Sequence, residues 1–280
     1  MIIKTAMKLS LVCSALLLTA CKPWVSDNIG SICKDSPELC EDLHKIGDCR
    51  FKRTTVIRAR YYDKIDPTEI NKRDLLTELD EYESCLELTL FMQYTRNKNR
   101  KKLRLENYLK AQELIQINLK ESKGTKDPML AYYLWTHHQD MQARRVFLTF
   151  ATKEDIRDPK ILFKLATIYS KDNAQTSLNL FYKALRYTTS LKQTSPATFT
   201  MIMTIFYQKK LFEEAYVWAL IAKKEDENDE YPINLELILQ KGKSHGDRLI
   251  LNEVQLRERA QQYYLQLSEG KFQIEAPILP

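Results

Sequence analysis

Three groups of residues in this chain carry types that could do chemistry. Gly242-Lys243-Ser244-His245-Gly246 fits G-x-S-x-G, the spacing that exposes a serine nucleophile in hydrolases. That chemistry needs a strand, a strained turn and then a helix. The preceding LELILQK reads as a helix, so the motif is expected to be a polar loop between helices. It is not a phosphate loop either, because a Walker motif would need glycine at 237 and Leu237 is there. His137-His138-Gln139-Asp140 could suggest a metal, but neighbouring histidines point apart on a helix and the sequence places no third ligand nearby. These residues are expected in a turn, with His44 and His245 isolated. Glu213 and Glu214 fall in the first turn of a helix, where acids suit the dipole. The acidic run over 225–230 reads as a solvated helix end. No catalytic residue, metal or cofactor is expected, and the chain is read as not an enzyme.

The third group is the cysteines, and their chemistry depends on compartment. Lys4 and Lys8 precede an apolar run over 9–18, followed by Leu18-Thr19-Ala20-Cys21. A basic start, a short apolar run and small residues before a cleavage point mark a secretory signal. The run is far shorter than the roughly 20 residues that span a bilayer. Leu18-Thr19-Ala20-Cys21 resembles the lipobox of bacterial lipoproteins. The resemblance implies cleavage before Cys21, lipidation of Cys21 and, with Lys22 next, an outer-membrane lipoprotein facing the periplasm. Met7 would serve as well as Met1 as the start. Removing 1–20 takes away Lys4 and Lys8 and no acid, so the charge falls from +6 to +4. That is too mild to argue for a nucleic-acid partner. Four cysteines remain: Cys33, Cys40, Cys49 and Cys85. An even number in an exported chain reads as two disulfides. Zinc is the competitor, without a C-x-x-C pair to support it. Of three connectivities, Cys33–Cys40 and Cys49–Cys85 are favoured, the first because its members are close, the second because it would tie the N-terminal segment to the first long helix.

These residues must be positioned by something, and the pattern is helical throughout. The 280 residues are 44% apolar and 29% charged, with only six glycines, which disfavours glycine-rich nucleotide folds. Residues 21–35 read as an irregular tether. Ser36-Pro37-Glu38 reads as a helix start with Leu39, Leu43 and Ile46 on one face and Gly47 at its end. RFKRTTVIRARYY over 50–62 is read as helix, and Arg50, Arg53, Arg58 and Arg60 as either a basic patch for anionic lipid or an acidic partner, or a solvated helix face. A long helix is expected over 72–94, with Leu75, Leu79, Tyr82, Leu86 and Leu90 inward. Another is expected over 103–122, with Leu105, Tyr108, Leu109, Ile115 and Leu119 inward.

From 127 onward the chain repeats. Prolines at 128, 159, 196 and 232 are spaced 31, 37 and 36 residues apart, three of them after an N-cap residue. Trp135, Tyr169 and Tyr207 end first helices. Eight residues later come Ala143, Ser177 and Ala215, all small; then Phe147, Phe181 and Ala219, and then Phe150, Ala184 and Ala222. A small residue lets the second helix approach the first, and the aromatic fills the gap between pairs. The cluster of Tyr132, Tyr133, Trp135, Phe147 and Phe150 is read as core packing, with a groove-lining role as the alternative. A fourth pair is expected over 232–241 and 252–268, and the tail over 270–280 is expected to be loose.

Leu162, Leu165, Ala166, Tyr169, Phe181 and Ala184 resemble the tetratricopeptide repeat. The turn is one residue short in all three copies, Tyr132 and Thr204 stand where small residues are usual, and the match covers 127–222. The lipobox, the spaced cysteines and AYYLWTHHQDMQARRVFL also resemble an uncharacterised Gram-negative lipoprotein family known only as a domain of unknown function, which implies no activity. The expected protein is thus all-α. A disulfide-stapled segment over 36–126 feeds an antiparallel helix-pair solenoid, tetratricopeptide-like, over 127–269. It is read as a lipid-anchored scaffold or adaptor in envelope assembly that binds a protein or peptide on its repeat face. The alternatives are an enzyme or accessory factor acting on peptidoglycan, or a purely structural lipoprotein.

Overall fold

The computed structural model describes residues 28–93, 98–150, 153, 155–228, 230–244 and 253–280; Cys21 and the lipobox lie outside them. Among the described residues there are twelve α-helices and no strand. The chain divides into two compact units, residues 1–137 and 138–280. That boundary falls inside the first expected repeat.

The first unit contains α1 (Ile29–Asp35), α2 (Arg50–Ile65), α3 (Glu69–Thr89), α4 (Asn99–Glu121) and most of α5 (Pro128–His138). Helices α2, α3 and α4 pack in sequence order around Val56, Ile57, Leu79, Tyr82, Leu86 and Ala111, all fully buried. Both favoured disulfides are present, Cys33–Cys40 and Cys49–Cys85.

Three expectations for this unit are corrected. The tether over 21–35 contains α1, whose N-cap Asn28 accepts from the Gly30 amide. A seven-residue helix is too short to show a period, so it left no pattern to find. The helix expected from Ser36 reduces to one 3-10 turn at Pro37–Leu39. Leu39, Leu43 and Ile46 are buried as expected, but the carbonyls that would continue the helix are taken by arginines from α2. Leu105 and Leu109 on α4 face outward, 47% and 55% exposed. The inward face of α4 is instead Arg104, Asn107, Ala111, Ile115 and Asn118. Polar residues hold core positions there because each has a specific bonding task, and the period of apolar residues alone misplaces the helix face.

The second unit contains α6 (Met141–Thr149), α7 (Pro159–Tyr169), α8 (Ala174–Tyr187), α9 (Pro196–Gln208), α10 (Phe212–Glu225), α11 (Leu235–Ser244) and α12 (Glu253–Ser268). Helices pair α7 with α8 and α9 with α10, and α10 packs on α11 and α12, consistent with a solenoid. Asp158 and Ser195 cap α7 and α9 by accepting from the amides of Lys160 and Ala197, with Pro159 and Pro196 at the first helical position. Pro232 does not start a helix; α11 begins at Leu235, where Asn234 accepts from the Leu237 amide.

The expected loose tail is the largest correction in this unit. Phe272 is fully buried, against Trp218 (ring centroids 6.0 Å apart), Tyr182 (5.8 Å) and Tyr263 (5.8 Å). Ile274, Ala276 and Leu279 pack on the same core. The prolines that suggested looseness only exclude helix; they do not exclude docking.

Candidate binding face

The repeat residues end where their types require. Ala143, Ser177, Ala215, Phe147, Phe181, Ala184 and Ala222 are buried; Trp135, Tyr169 and Tyr207 are half-buried. Ser177 shows why a hydroxyl can replace alanine at a close approach. Its Oγ donates to the Ala166 carbonyl at 2.7 Å, so a fully buried polar atom is satisfied across the pair. In the next pair Trp218 is sealed in, stacked on Phe199 at 6.1 Å, its indole donating to Tyr182 Oη at 2.9 Å. Burial pushes the Tyr182 phenol far up, so it stays protonated.

With one side of α7 and α9 consumed by this core, the opposite side carries Thr167, Ser170, Lys171, Thr200, Met201, Thr204 and Gln208. A cleft of about 360 Å³ opens there, lined by Ser170, Lys171, Thr200, Met201, Thr204 and Gln208 together with Ile205. Its hydroxyls are spent locally. Thr204 Oγ1 donates to the Thr200 carbonyl at 2.8 Å, Thr200 to Pro196 at 3.3 Å and Thr167 to Phe163 at 2.9 Å. This back-bonding to the carbonyl four residues earlier fixes each hydroxyl proton within the helix. The threonines therefore offer outward only methyl groups and acceptor lone pairs, beside the thioether of Met201, while the exposed Lys171 ammonium and Gln208 carboxamide add one positive charge and hydrogen-bond donors at the rim. Thr167 and Met201 approach at 3.8 Å, which joins α7 and α9 into one surface. Such a surface suits adaptable contact with a chain, because methionine reshapes at little cost.

Two carboxylates of this unit are shifted within ion pairs. Glu214 is raised by burial and partly relieved by Arg259 at 3.1 Å. Glu253 is lowered by hydrogen bonds from Arg257, at 2.6 Å, and from Tyr216. A smaller cavity of about 210 Å³ between α10 and α12 holds Lys224 over the Tyr264 ring at 3.6 Å. Among the described residues no three His, Cys, Asp or Glu side chains converge to hold a metal. His137 stacks on Tyr133 at 4.2 Å. Of the G-x-S-x-G stretch, Gly242, Lys243 and Ser244 end α11 in helical conformation, Ser244 Oγ donating to the Lys241 carbonyl; His245 and Gly246 lie outside the described residues. Helical geometry through Ser244 is not the strand-to-helix turn a serine nucleophile requires.

The basic patch is a correction. Arg53 is buried, its Nε donating to the Leu43 carbonyl at 2.7 Å and its Nη2 to Cys40 at 3.0 Å. Arg60 donates to the Leu39 carbonyl and grips Asp42 at 2.7 Å. Arg58 is half-buried, and only Arg50 is exposed, over the Phe51 ring. From α4, Asn107 exchanges two bonds with the His44 backbone (2.6 and 3.0 Å), and Arg104 binds Asp48 at 2.6 Å and the Thr89 carbonyl. These side chains do for the 36–48 loop what a helix or sheet would do, satisfying its backbone. Sequence reasoning missed Arg104, Asn107, Phe272 and Gln175. A polar residue inside an apolar stripe was the available signal for the first two.

The family described as "Protein of unknown function (DUF2989)" matches residues 18–220 of the chain. No curated protein and no solved structure matches it.

Proposed function

Because the chain belongs to the DUF2989 family, whose description names no activity, we propose from its own geometry that it is a non-enzymatic adaptor. It holds a protein or peptide partner on the α7/α9 face of its repeat-like second unit. The observation that carries this is the open cleft of about 360 Å³ in which back-bonded threonines and Met201 are flanked by Lys171 and Gln208, a mixed surface that suits contact with a chain. The lipobox-like Leu18-Thr19-Ala20-Cys21 supports placing it as a lipid-anchored protein of the cell envelope, on the periplasmic side of the outer membrane. The tetratricopeptide-like spacing supports the mode of binding, since stacked helix pairs offer a continuous face to a chain.

The test is affinity isolation of the tagged protein from solubilised membranes, in wild-type form and as Thr204→Arg. A long charged side chain in the cleft should remove a defined set of partners while leaving far-ultraviolet circular dichroism unchanged. An identical set from both forms contradicts the reading. Cys21→Ala should move the protein to the soluble fraction; retention on membranes contradicts the anchor.

A further inference from the structure

The last ten residues form an internal ligand. Gly270, with φ +64°, turns the chain back against Thr189, so closely that a Cβ would lie 2.8 Å from the Thr189 carbonyl. From there the tail runs antiparallel to α8. Residues 175–187 of α8 rise about 18 Å at helical pitch, with Thr189 two residues further on, and the seven steps from Gly270 to Pro277 reach about 23 Å only if extended. The tail is therefore stretched along the whole helix. Gln175, Tyr182 and Arg186 recur at seven- and four-residue spacing and form one stripe of α8. Phe272 packs on Tyr182, and Glu275 pairs with Arg186. Gln175 Nε2 donates to the Pro277 carbonyl at 3.1 Å, and its Oε1 accepts from the Leu279 amide at 2.7 Å. The second Nε2 contact, to Asn179 Oδ1 at 2.9 Å, orients that amide.

The division of labour within this contact is informative. Gln175 reads backbone only: one carbonyl and an N–H two residues on, as an adjacent strand would. Arg186 reads charge. Proline at 277 contributes its carbonyl and brings no N–H that would need a partner. Ile278 is 91% exposed, so the groove makes no demand there. Phe272 is fully buried in the core, whereas 273–280 is held at its edge by the partly buried Ile274, Ala276 and Leu279, the Arg186 pair and the two Gln175 bonds.

We propose that the Gln175–Arg186 stripe of α8 is a binding groove for an extended peptide. Its partner is a linear segment carrying a carboxylate, a proline two residues later and an aliphatic residue two beyond that. The tail is its resident occupant, which such a segment displaces. This surface is distinct from the α7/α9 cleft, and the inference does not depend on a partner there. The tail competes at the high effective concentration of a tethered ligand, so displacement is weak until its own contacts are loosened.

The experiment uses the full-length chain and a fluorescent peptide with the sequence of residues 273–280. The side chain of Glu275 is 80% exposed, so Glu275→Lys loosens the tail without touching the core or the groove. The peptide should bind the Glu275→Lys chain at least tenfold more tightly than wild type. Adding Arg186→Glu to that chain would restore the tail's own pairing, so the groove is tested in a Glu275→Ala background. There Arg186→Glu should weaken the peptide at least tenfold, and a peptide with lysine in place of that glutamate should recover it. No binding to the Glu275→Lys chain, or binding indifferent to Arg186, overturns the proposal. A concentration-dependent dimer of the Glu275→Lys chain that an excess of the peptide does not dissociate overturns it too, because the surface the loosened chain then presents is not this groove.

Discussion

The two units answer the same problem, burying helices in a short chain, with opposite chemistry. Residues 28–137 enclose an irregular loop whose backbone is satisfied by side chains: Arg53 and Arg60 from α2, Arg104 and Asn107 from α4, with two disulfides at its ends. Residues 138–280 rely on small residues at helix crossings and on an aromatic core of Tyr182, Phe199, Trp218, Tyr263 and Phe272. A pinned loop fails when one polar partner is lost, since the carbonyls it leaves behind are buried without a donor. A packed repeat fails through cavities, and its damage scales with volume removed. The surfaces differ as well: the first unit has a cleft of about 460 Å³ over the pinned loop, lined by Glu41, His44 and Lys45 beside Cys33 and Cys40, and the second has the threonine-lined α7/α9 cleft of about 360 Å³.

Four changes separate these regimes. Trp218→Ala removes the largest fully buried side chain and should cost about 3–5 kcal/mol in urea unfolding; a cost under about 1 kcal/mol would show that the aromatic core does not carry the second unit. Cys49→Ser with Cys85→Ser opens a loop of 36 residues and should cost about 3–4 kcal/mol. Amide hydrogen exchange should localise that loss to α2 and α3, with α9 and α10 still protected; equal loss in both units would erase the distinction. Arg53→Leu keeps bulk but strands the Leu43 and Cys40 carbonyls, for about 2–4 kcal/mol. A neutral outcome would mean water satisfies those groups and the pinning is incidental.

The smallest effect is in alkali. Burial raises the Tyr82 phenol to about 12, against the pull of nearby Arg53. A pKa higher in the folded than in the unfolded chain gives stability that is complete below pH 10 and lost as pH rises through 12. Wild type should therefore lose about 1 kcal/mol more than Tyr82→Phe between pH 9 and pH 11. Parallel unfolding curves at both pH values would place Tyr82 in contact with water.

The same contrast decides what could be read beforehand. Ser177 and Ala215 each follow by eight residues the tyrosine that closes the preceding helix and are fully buried in the pairs α7/α8 and α9/α10, so the shared pattern exposes them and the helices they join. The cysteine pairing was favoured on proximity and reach, and the structure has it. Asn107 with His44, and Arg104 with Asp48, join residues more than 50 positions apart and occur once, so no period announces them. They displaced Leu105 and Leu109 from the expected core face. Phe272 escaped for a related reason: a single aromatic before prolines has no pattern, yet it fills the space beside Trp218. The α7/α9 face was legible only as a region. That its threonines turn their hydroxyls inward follows from coordinates and not from composition.

Site-specific photocrosslinking in cells reports whether the α7/α9 face meets a partner. A photoreactive residue at Thr204, in the cleft, is compared with one at Glu113, exposed on α4 of the first unit. A partner on that face gives one or a few discrete adducts from position 204, lost when Thr200→Arg is added, and none of the same mass from position 113. Absence of any adduct at 204, or the same adducts from both positions, would contradict the adaptor reading.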